Sequence, residues 1–240
     1  CYESWNQAVN NASKSHVFVM GDDDIALENL SEICFDIAKE NDCALLKGFI
    51  IDSQGKRIGK LPYYINNIDI GIEEYIKRRS RGQLATVFPG TLYKKDLFNK
   101  IDGYKNSEIS GWAFTDEFFI LRLLKNGSSI IISNNYCWEY RVHKDQISVD
   151  FTNESYFKER FIFLNKLTKE SLFEDLDKST LNEYTKYVLG YMSSCLGNSL
   201  GKKRDIYNTL KFIFNPLTFK KLRGHLNYHY LNNNFKFLKS

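Results

Sequence analysis

No apolar stretch in this 240-residue chain approaches the roughly 18 to 20 consecutive residues that a bilayer-crossing helix needs, so no membrane span is expected. The first residues, Cys1-Tyr2-Glu3-Ser4-Trp5, carry neither a basic region nor an apolar signal core, so a cytoplasmic location is the expectation. Cysteine is sparse and odd in number: Cys1, Cys34, Cys43, Cys137 and Cys195 are widely spaced, with no zinc or redox spacing. Buried reduced thiols are the expectation. The chain has no internal repeat and no low-complexity linker. What it does have is 43% hydrophobic and 15% aromatic residues, enough to exclude disorder and to bury a core.

The net charge of +4 hides an asymmetry. Residues 201–240 hold nine Lys or Arg against the single acid Asp205, a local charge of +8 that leaves the first 200 residues at −4. Phe212, Phe214, Phe219, Tyr228, Tyr230, Phe235 and Phe237 interleave with those cations. Two readings stand side by side: a basic helical cap packed on its own domain, or a face for an anionic membrane surface. Nucleic acid is the weaker partner for such a tail.

Strands and helices alternate over residues 1–150, which predicts an α/β layer. Residues 16–20 read as a buried strand, and Leu27, Leu30, Ile33, Ile37 and Ala38 recur at helical spacing. Cys43 to Ile51 is a second apolar run, closed by the turn Asp52-Ser53-Gln54-Gly55-Lys56. A short helix is expected at Glu73 to Arg79, a strand at Leu84 to Tyr93 broken by Pro89-Gly90, and another short helix at Lys94 to Lys100, ended by Asp102-Gly103. Thr115 can cap a helix from Asp116 to Lys125 with Asn126-Gly127 as its stop, followed by strands at Ser128 to Ser133 and Tyr136 to Val142. Helical patterns then occupy Glu154 to Thr168, Thr180 to Leu196 and Asp205 to Phe214, so the chain divides into an α/β domain, 1–150, and a helical, basic extension, 151–240.

Three places carry candidate chemistry, and all lie where a strand or helix ends. Gly21-Asp22-Asp23-Asp24 follows the apolar run His16 to Met20. Three acids so close repel one another unless a cation neutralises them, and hard oxygen ligands suit Mg²⁺ or Mn²⁺ better than zinc; a solvated acidic turn is the plain alternative. Asp116-Glu117 opens a helix, where the macrodipole favours an ionised carboxylate able to take a proton from a hydroxyl. Ordinary N-terminal helix charge explains the same pair. Arg141 and His143 share one face of a strand end, where they can offset phosphate charge or, for His143, complete a metal shell. Their alternatives are a salt bridge from Arg141 to Glu139 or a neighbouring acid, and a hydrogen-bonded histidine closing the strand. In open α/β sheets ligands gather beyond the carboxyl ends of strands, which brings such distant residues together.

An ordered series of segments resembles the family 2 glycosyltransferases of the GT-A fold. Asn6 to Ala12 is similar to the family's helix before the metal strand, and Val17 to Ile25 to that strand with its acidic motif. Pro89 to Phe98 with Ile101-Asp102-Gly103-Tyr104 resembles the acceptor-side strand, helix and turn; Thr115-Asp116-Glu117 stands where the family has its catalytic acidic pair; Tyr140 to Ser148 resembles its last strand and loop. The resemblance covers about residues 5–150. It implies a GT-A-like (Rossmann-like) mixed sheet flanked by helices, and inverting transfer of a sugar from a nucleotide-diphosphate donor to an acceptor hydroxyl of a glycan or lipid-linked sugar, in bacterial-type surface polysaccharide or glycolipid assembly. It further implies Mg²⁺ or Mn²⁺ on Asp22, Asp23, Asp24 and His143, donor phosphate at Arg141 and His143, and Asp116 as general base by register with Glu117 as the substitute. Trp112, Phe114 and Tyr93 become acceptor-side aromatics, with core packing open for each. The family's base- and ribose-gripping strand has no counterpart here, so the resemblance also implies a fold that is partial at its N-terminus.

Two other function classes compete. A glycoside hydrolase would need Asp116 and a second acid facing across a glycosidic bond, and a non-catalytic glycan- or nucleotide-sugar-binding module would keep the fold without the reaction. The basic tail gives a separate test. If residues 201–240 lay cations and aromatics on an anionic leaflet, as expected for a peripheral protein of the inner face of the cytoplasmic membrane, the chain co-sediments with phosphatidylserine vesicles, and raised salt or removal of 201–240 abolishes this. Sedimentation unaffected by either change sinks the membrane reading.

Overall fold

The protein is seen here as a computed structural model that describes residues 2–61, 69–85, 90–104 and 114–144, and, in the C-terminal part, 163, 167, 172, 174–181, 183, 184, 187 and 188. The chain runs α1 (Tyr2–Asn11), β1 (His16–Phe18), β2 (Ile25–Ala26), α2 (Leu30–Ala38), β3 (Cys43–Ile51), β4 (Arg57–Lys60), β5 (Asp69–Ile70), α3 (Ile72–Ser80), β6 (Thr91–Lys94), α4 (Lys95–Lys100), α5 (Thr115–Lys125) and β7 (Ile130–Arg141). The sheet has the order β1-β6-β3-β7-β2, with β4 added to β3 and β5 to β7. Among the described residues, only β3 and β7 pair in parallel; the other five pairings are antiparallel. This is the mixed sheet flanked by helices that the alternating pattern predicts.

Burial explains the central strands. β3 is a near-continuous apolar run, buried on both faces, with Leu45 and Leu46 at 1% and 0% exposure. Gly48 faces Trp138 across the parallel pair, and a Cβ there would lie 2.7 Å from the indole ring. The ring therefore lies flat over bare backbone, fully buried, and its Nε1–H donates to the Leu46 carbonyl at 3.0 Å. A second core block is aromatic: Tyr93 of β6, Phe98 of α4, Tyr104 and Phe119 of α5 stand with ring centroids 4.4 to 6.5 Å apart. Asn6 of α1 ties in from the side, accepting from the Tyr104 N–H at 2.9 Å and donating to its carbonyl at 3.1 Å.

Several sequence expectations change in detail. The strand expected over 16–20 ends at Phe18, and the residues after the acids form a short strand of their own, β2, which pairs with Glu139 and Trp138, so the helix begins at Leu30 rather than Leu27. The strands expected on either side of Asn134-Asn135 are one strand, β7. Polar residues there do not stop it, because the register against β3 slips at that point: Leu45 faces Ile132 but Lys47 faces Tyr136, so the extra residues bulge. Thr115 is inside α5 and 4% exposed; Phe114, at φ 69°, holds the N-cap position without a side-chain bond. The turn after Ile51 forms as expected, with Asp52 Oδ1 accepting from the N–H of Gln54 and of Lys56 at 2.9 Å each.

Residues 86–89, which include Pro89, lie outside the described residues, as do 201–240 and most of the expected helices beyond 150. Among the described residues no helix is long and apolar enough to cross a membrane. The packing at Gly48 predicts that Gly48→Ala lowers stability by about 1 to 3 kcal/mol, the usual cost of forcing a methyl into a filled core. Urea unfolding should show a lower midpoint with an unchanged slope.

Candidate functional site

The acidic loop sits between β1 and β2. A Cβ at position 21 would meet Asp24 Oδ2 at 2.7 Å and Asp23 Oδ1 at 3.0 Å, so two carboxylates converge over the bare face of Gly21. A larger residue there would push them apart. Asp22 points outward and is exposed. Burial raises the Asp24 carboxyl to about 6; the Arg141 N–H opposes this, the neighbouring Asp23 charge adds to it, and the Gly21 N–H opposes it again.

The end of β7 clasps this loop. The Arg141 N–H donates to Asp24 Oδ1 at 3.0 Å, and its Nε donates to the Asp23 carbonyl at 2.8 Å. Its Nη1 reaches the carbonyls of Asp52 and Ser53 at 3.2 and 3.3 Å, fastening the β3–β4 turn to the same point. Of the acids open to Arg141, Glu139 pairs with Arg57, Nε to Oε1 at 2.5 Å, while the Arg141 charge acts on the neighbouring acid Asp24. Two residues on, His143 Nε2 lies 2.8 Å from Asp23 Oδ2. Asp23, Asp24, Arg141 and His143, spread over 120 positions, thus meet at one corner of the sheet.

The chemistry of a divalent cation fits this corner in part. Asp23 and Asp24 offer converging hard oxygens, the kind Mg²⁺ and Mn²⁺ take, and His143 orients Asp23. Among the described residues no three His, Cys, Asp or Glu side chains are arranged to hold a metal ion by themselves. A cation here needs further oxygens from a ligand or water, the usual condition for Mg²⁺ bound with phosphates.

The two acids of α5 have separate environments. Glu117 is 1% exposed; its Oε2 lies 3.1 Å from Arg79 Nη2 of α3 and its Oε1 accepts from the Tyr184 hydroxyl at 2.8 Å. Both oxygens are committed. Asp116 is half-buried, and its Oδ1 accepts from the Glu117 N–H at 2.8 Å. Burial raises its carboxyl to about 6, against that N–H; the Glu117 charge adds to the rise and the Arg79 charge counters it. A carboxyl of this kind is ionised at neutral pH yet close enough to it to accept a proton readily.

The three aromatics proposed for an acceptor fall in different places. Tyr93 is fully buried, with its hydroxyl 2.9 Å from that of Tyr104, so core packing describes it. Phe114 is partly buried and stacks on Phe163 with centroids 4.7 Å apart. Trp112 lies outside the described residues.

No family model matches the chain, and no curated protein matches it. Solved structures do. A crystal structure of S. aureus TarS 1-349 in complex with UDP-GlcNAc superposes with a TM-score of 0.56 at 16% identity, covering 85% of this chain and 58% of that one. The complex of the same protein with UDP gives a TM-score of 0.54 at 15% identity, with 82% and 53% covered. The likeness shows the fold. It bears out the expected mixed α/β sheet flanked by helices, and the chain spans little more than half the length of these neighbours.

Sequence reasoning named Asp116 and Glu117 together but missed Arg79, Tyr184 and the role of Gly21. The glycine immediately before three acids was the available signal for the last; the first two had none, since they converge only through the fold. The environment of Asp116 has a measurable consequence. Its folded value of about 6 stands above the ordinary carboxylate value near 4. A raised acid holds its proton in the folded state, so its stabilising contribution is fully present below pH 4 and is lost as pH rises through 6. Replacing it by Asn should flatten this decline in chemical-denaturation profiles between pH 4 and 6, and an unchanged profile would show that Asp116 titrates normally.

Proposed function

We propose that the protein is an inverting glycosyltransferase that moves a sugar from a nucleotide-diphosphate donor to an acceptor hydroxyl. The observation that carries this reading is the convergence of the Asp23 and Asp24 carboxylates over Gly21 at a sheet corner braced by Arg141 and His143. The fold likeness to TarS structures that contain UDP-GlcNAc and UDP supports a nucleotide-sugar donor, and UDP as its nucleotide.

In this reading Asp23 and Asp24, with His143 as their support, hold Mg²⁺ or Mn²⁺, which when bound offsets the charge of the donor's diphosphate. Arg141 adds its positive charge at the same corner while keeping the loop in shape. Asp116 takes the proton of the acceptor hydroxyl as that oxygen attacks the anomeric carbon. The bond from that carbon to the diphosphate oxygen breaks on the opposite side, its electron pair leaves with the nucleoside diphosphate, and the configuration inverts. Glu117 has no part in proton transfer, since both its oxygens are held by Arg79 and Tyr184. The acceptor, by the same reading, is a glycan or a lipid-linked sugar met at the inner face of the cytoplasmic membrane.

Calorimetric titration with UDP, GDP, CDP and TDP, with and without Mn²⁺, tests the donor corner, and UDP-GlcNAc turnover tests the base. Manganese-dependent binding of UDP that Asp23→Asn abolishes is the expected result. Asp116→Asn should leave that binding intact while turnover falls by roughly 10²- to 10⁴-fold, the usual range for losing a general base. Binding that ignores both Mn²⁺ and Asp23→Asn overturns the assignment of the acidic loop.

A further inference from the structure

The first turn of α5 is held from three sides. Phe114, at its N-cap, stacks face to face on Phe163 of the C-terminal part, 4.7 Å between centroids and 18° between planes. Its carbonyl accepts from the Phe118 N–H at 2.8 Å, which starts the helix. Glu117 is gripped by Arg79 of α3 at 3.1 Å and by the Tyr184 hydroxyl at 2.8 Å, with Tyr184 itself fully buried. Arg79 is in turn fixed by donating Nη1 to the Leu84 carbonyl at 3.0 Å and by lying over the Tyr187 ring at 5.1 Å. Between these two anchors stands Asp116. Its Oδ1 accepts from the backbone N–H of Glu117, so whatever fixes Glu117 fixes the direction of the Asp116 carboxylate.

A buried ion pair of this sort is a poor device for stability alone, because desolvating both charges offsets most of their attraction. It is a good device for orientation, since breaking either partner leaves the other charge unpaired. Resting on the reading of Asp116 as the base, we propose that Glu117 is a positioning residue for Asp116, clamped by Arg79 and Tyr184, and that the C-terminal part of the chain thereby sets the geometry of proton transfer. The segment expected to be a separate helical extension is on this account part of the catalytic machinery's frame.

The clamp also acts through charge. Among the described residues, the groups facing Asp116 or Glu117 are Arg79 from α3, Tyr104 after α4 and Tyr184 from the C-terminal part, while Tyr75 and Tyr187 face Arg79. Glu117 raises the Asp116 carboxyl and Arg79 lowers it, with Glu117 the larger of the two. Removing the Glu117 charge alone must lower the Asp116 midpoint; removing both charges must lower it less.

Carboxyl ¹³C titration of Asp-labelled protein reads this directly, with Asp116→Asn assigning the resonance. Because it needs no turnover, it stands or falls apart from the transferase reading. In the unaltered chain Asp116 should titrate near 6, in Glu117→Gln at a value shifted toward the ordinary carboxylate range, and in the neutral pair Arg79→Gln/Glu117→Gln between the two. The neutral pair serves where the single substitution fails to fold. Tyr184→Phe keeps the buried ring and removes one grip, so hydrogen exchange at the Glu117 N–H should accelerate while exchange in β3 stays the same. An Asp116 midpoint that does not move in either glutamine variant, or Glu117 exchange indifferent to Tyr184→Phe, overturns the proposal.

Discussion

The candidate site depends on one clasp, the set of bonds that Arg141 makes from the end of β7. Asp23 and Asp24 repel each other, and a free loop would relieve that repulsion by swinging one carboxylate outward, as Asp22 does. The Arg141 N–H holds Asp24 by its Oδ1, and the guanidinium holds the loop backbone at Asp23 and the β3–β4 turn at Asp52 and Ser53. The side chain's charge sits where two carboxylates gather, and its hydrogen bonds go to carbonyls that no helix or strand satisfies. Charge and geometry therefore reinforce one another, and the loop keeps two acids aimed the same way. β7 can serve this purpose because its parallel pairing with the buried β3 anchors it to the centre of the sheet.

Two carboxyls in the molecule, Asp24 and Asp116, are both raised to about 6 by burial, yet their surroundings differ in what they invite. Asp24 is crowded by a second carboxylate, with the backbone N–H groups of Arg141 and Gly21 and a nearby guanidinium in partial relief, so an added cation would relieve it further. Among the described residues Asp116 has no convergent acid turned toward it, because Glu117 faces the core and is paired there with Arg79. It needs no cation and is left poised to exchange a proton. Similar values thus arise from one environment suited to a charge and another suited to a transfer.

Much of the fold was legible in the sequence because period and punctuation agree along β3, α3 and α5: an apolar run closed by Asp52 to Lys56, and apolar helical spacing closed by Asn126-Gly127. What was not legible depended on pairing. Asn134-Asn135 read as a break, and only the slipped register against β3 lets β7 carry them as a bulge. Phe114 read either as an aromatic for ligand contact or as core packing, and only its stack on Phe163 reveals a helix-start anchor. Tyr93 was ambiguous for the same reason, since a tyrosine beside a strand end looks alike in sequence whether it faces a ligand or, as here, the ring of Phe119. The acidic loop was legible as a cluster, but its division into two converging carboxylates and an outward one needed Gly21 and Arg141 in place.

The adjacent acids of α5 show how helix phase separates roles that a sequence leaves merged. Consecutive residues on an α-helix project about 100° apart, so neighbours cannot share one surroundings. Thr115 and Glu117 are buried at 4% and 1% exposure, and Asp116 lies between their directions, half-open. A carboxylate turned into the core must be paired or protonated, and Arg79 with Tyr184 supplies the pairing. That requirement draws α3 and the C-terminal part against the start of α5, and so determines where the half-open Asp116 points. The fully buried acid, Glu117, is the one through which α3 and the C-terminal part hold its half-buried neighbour.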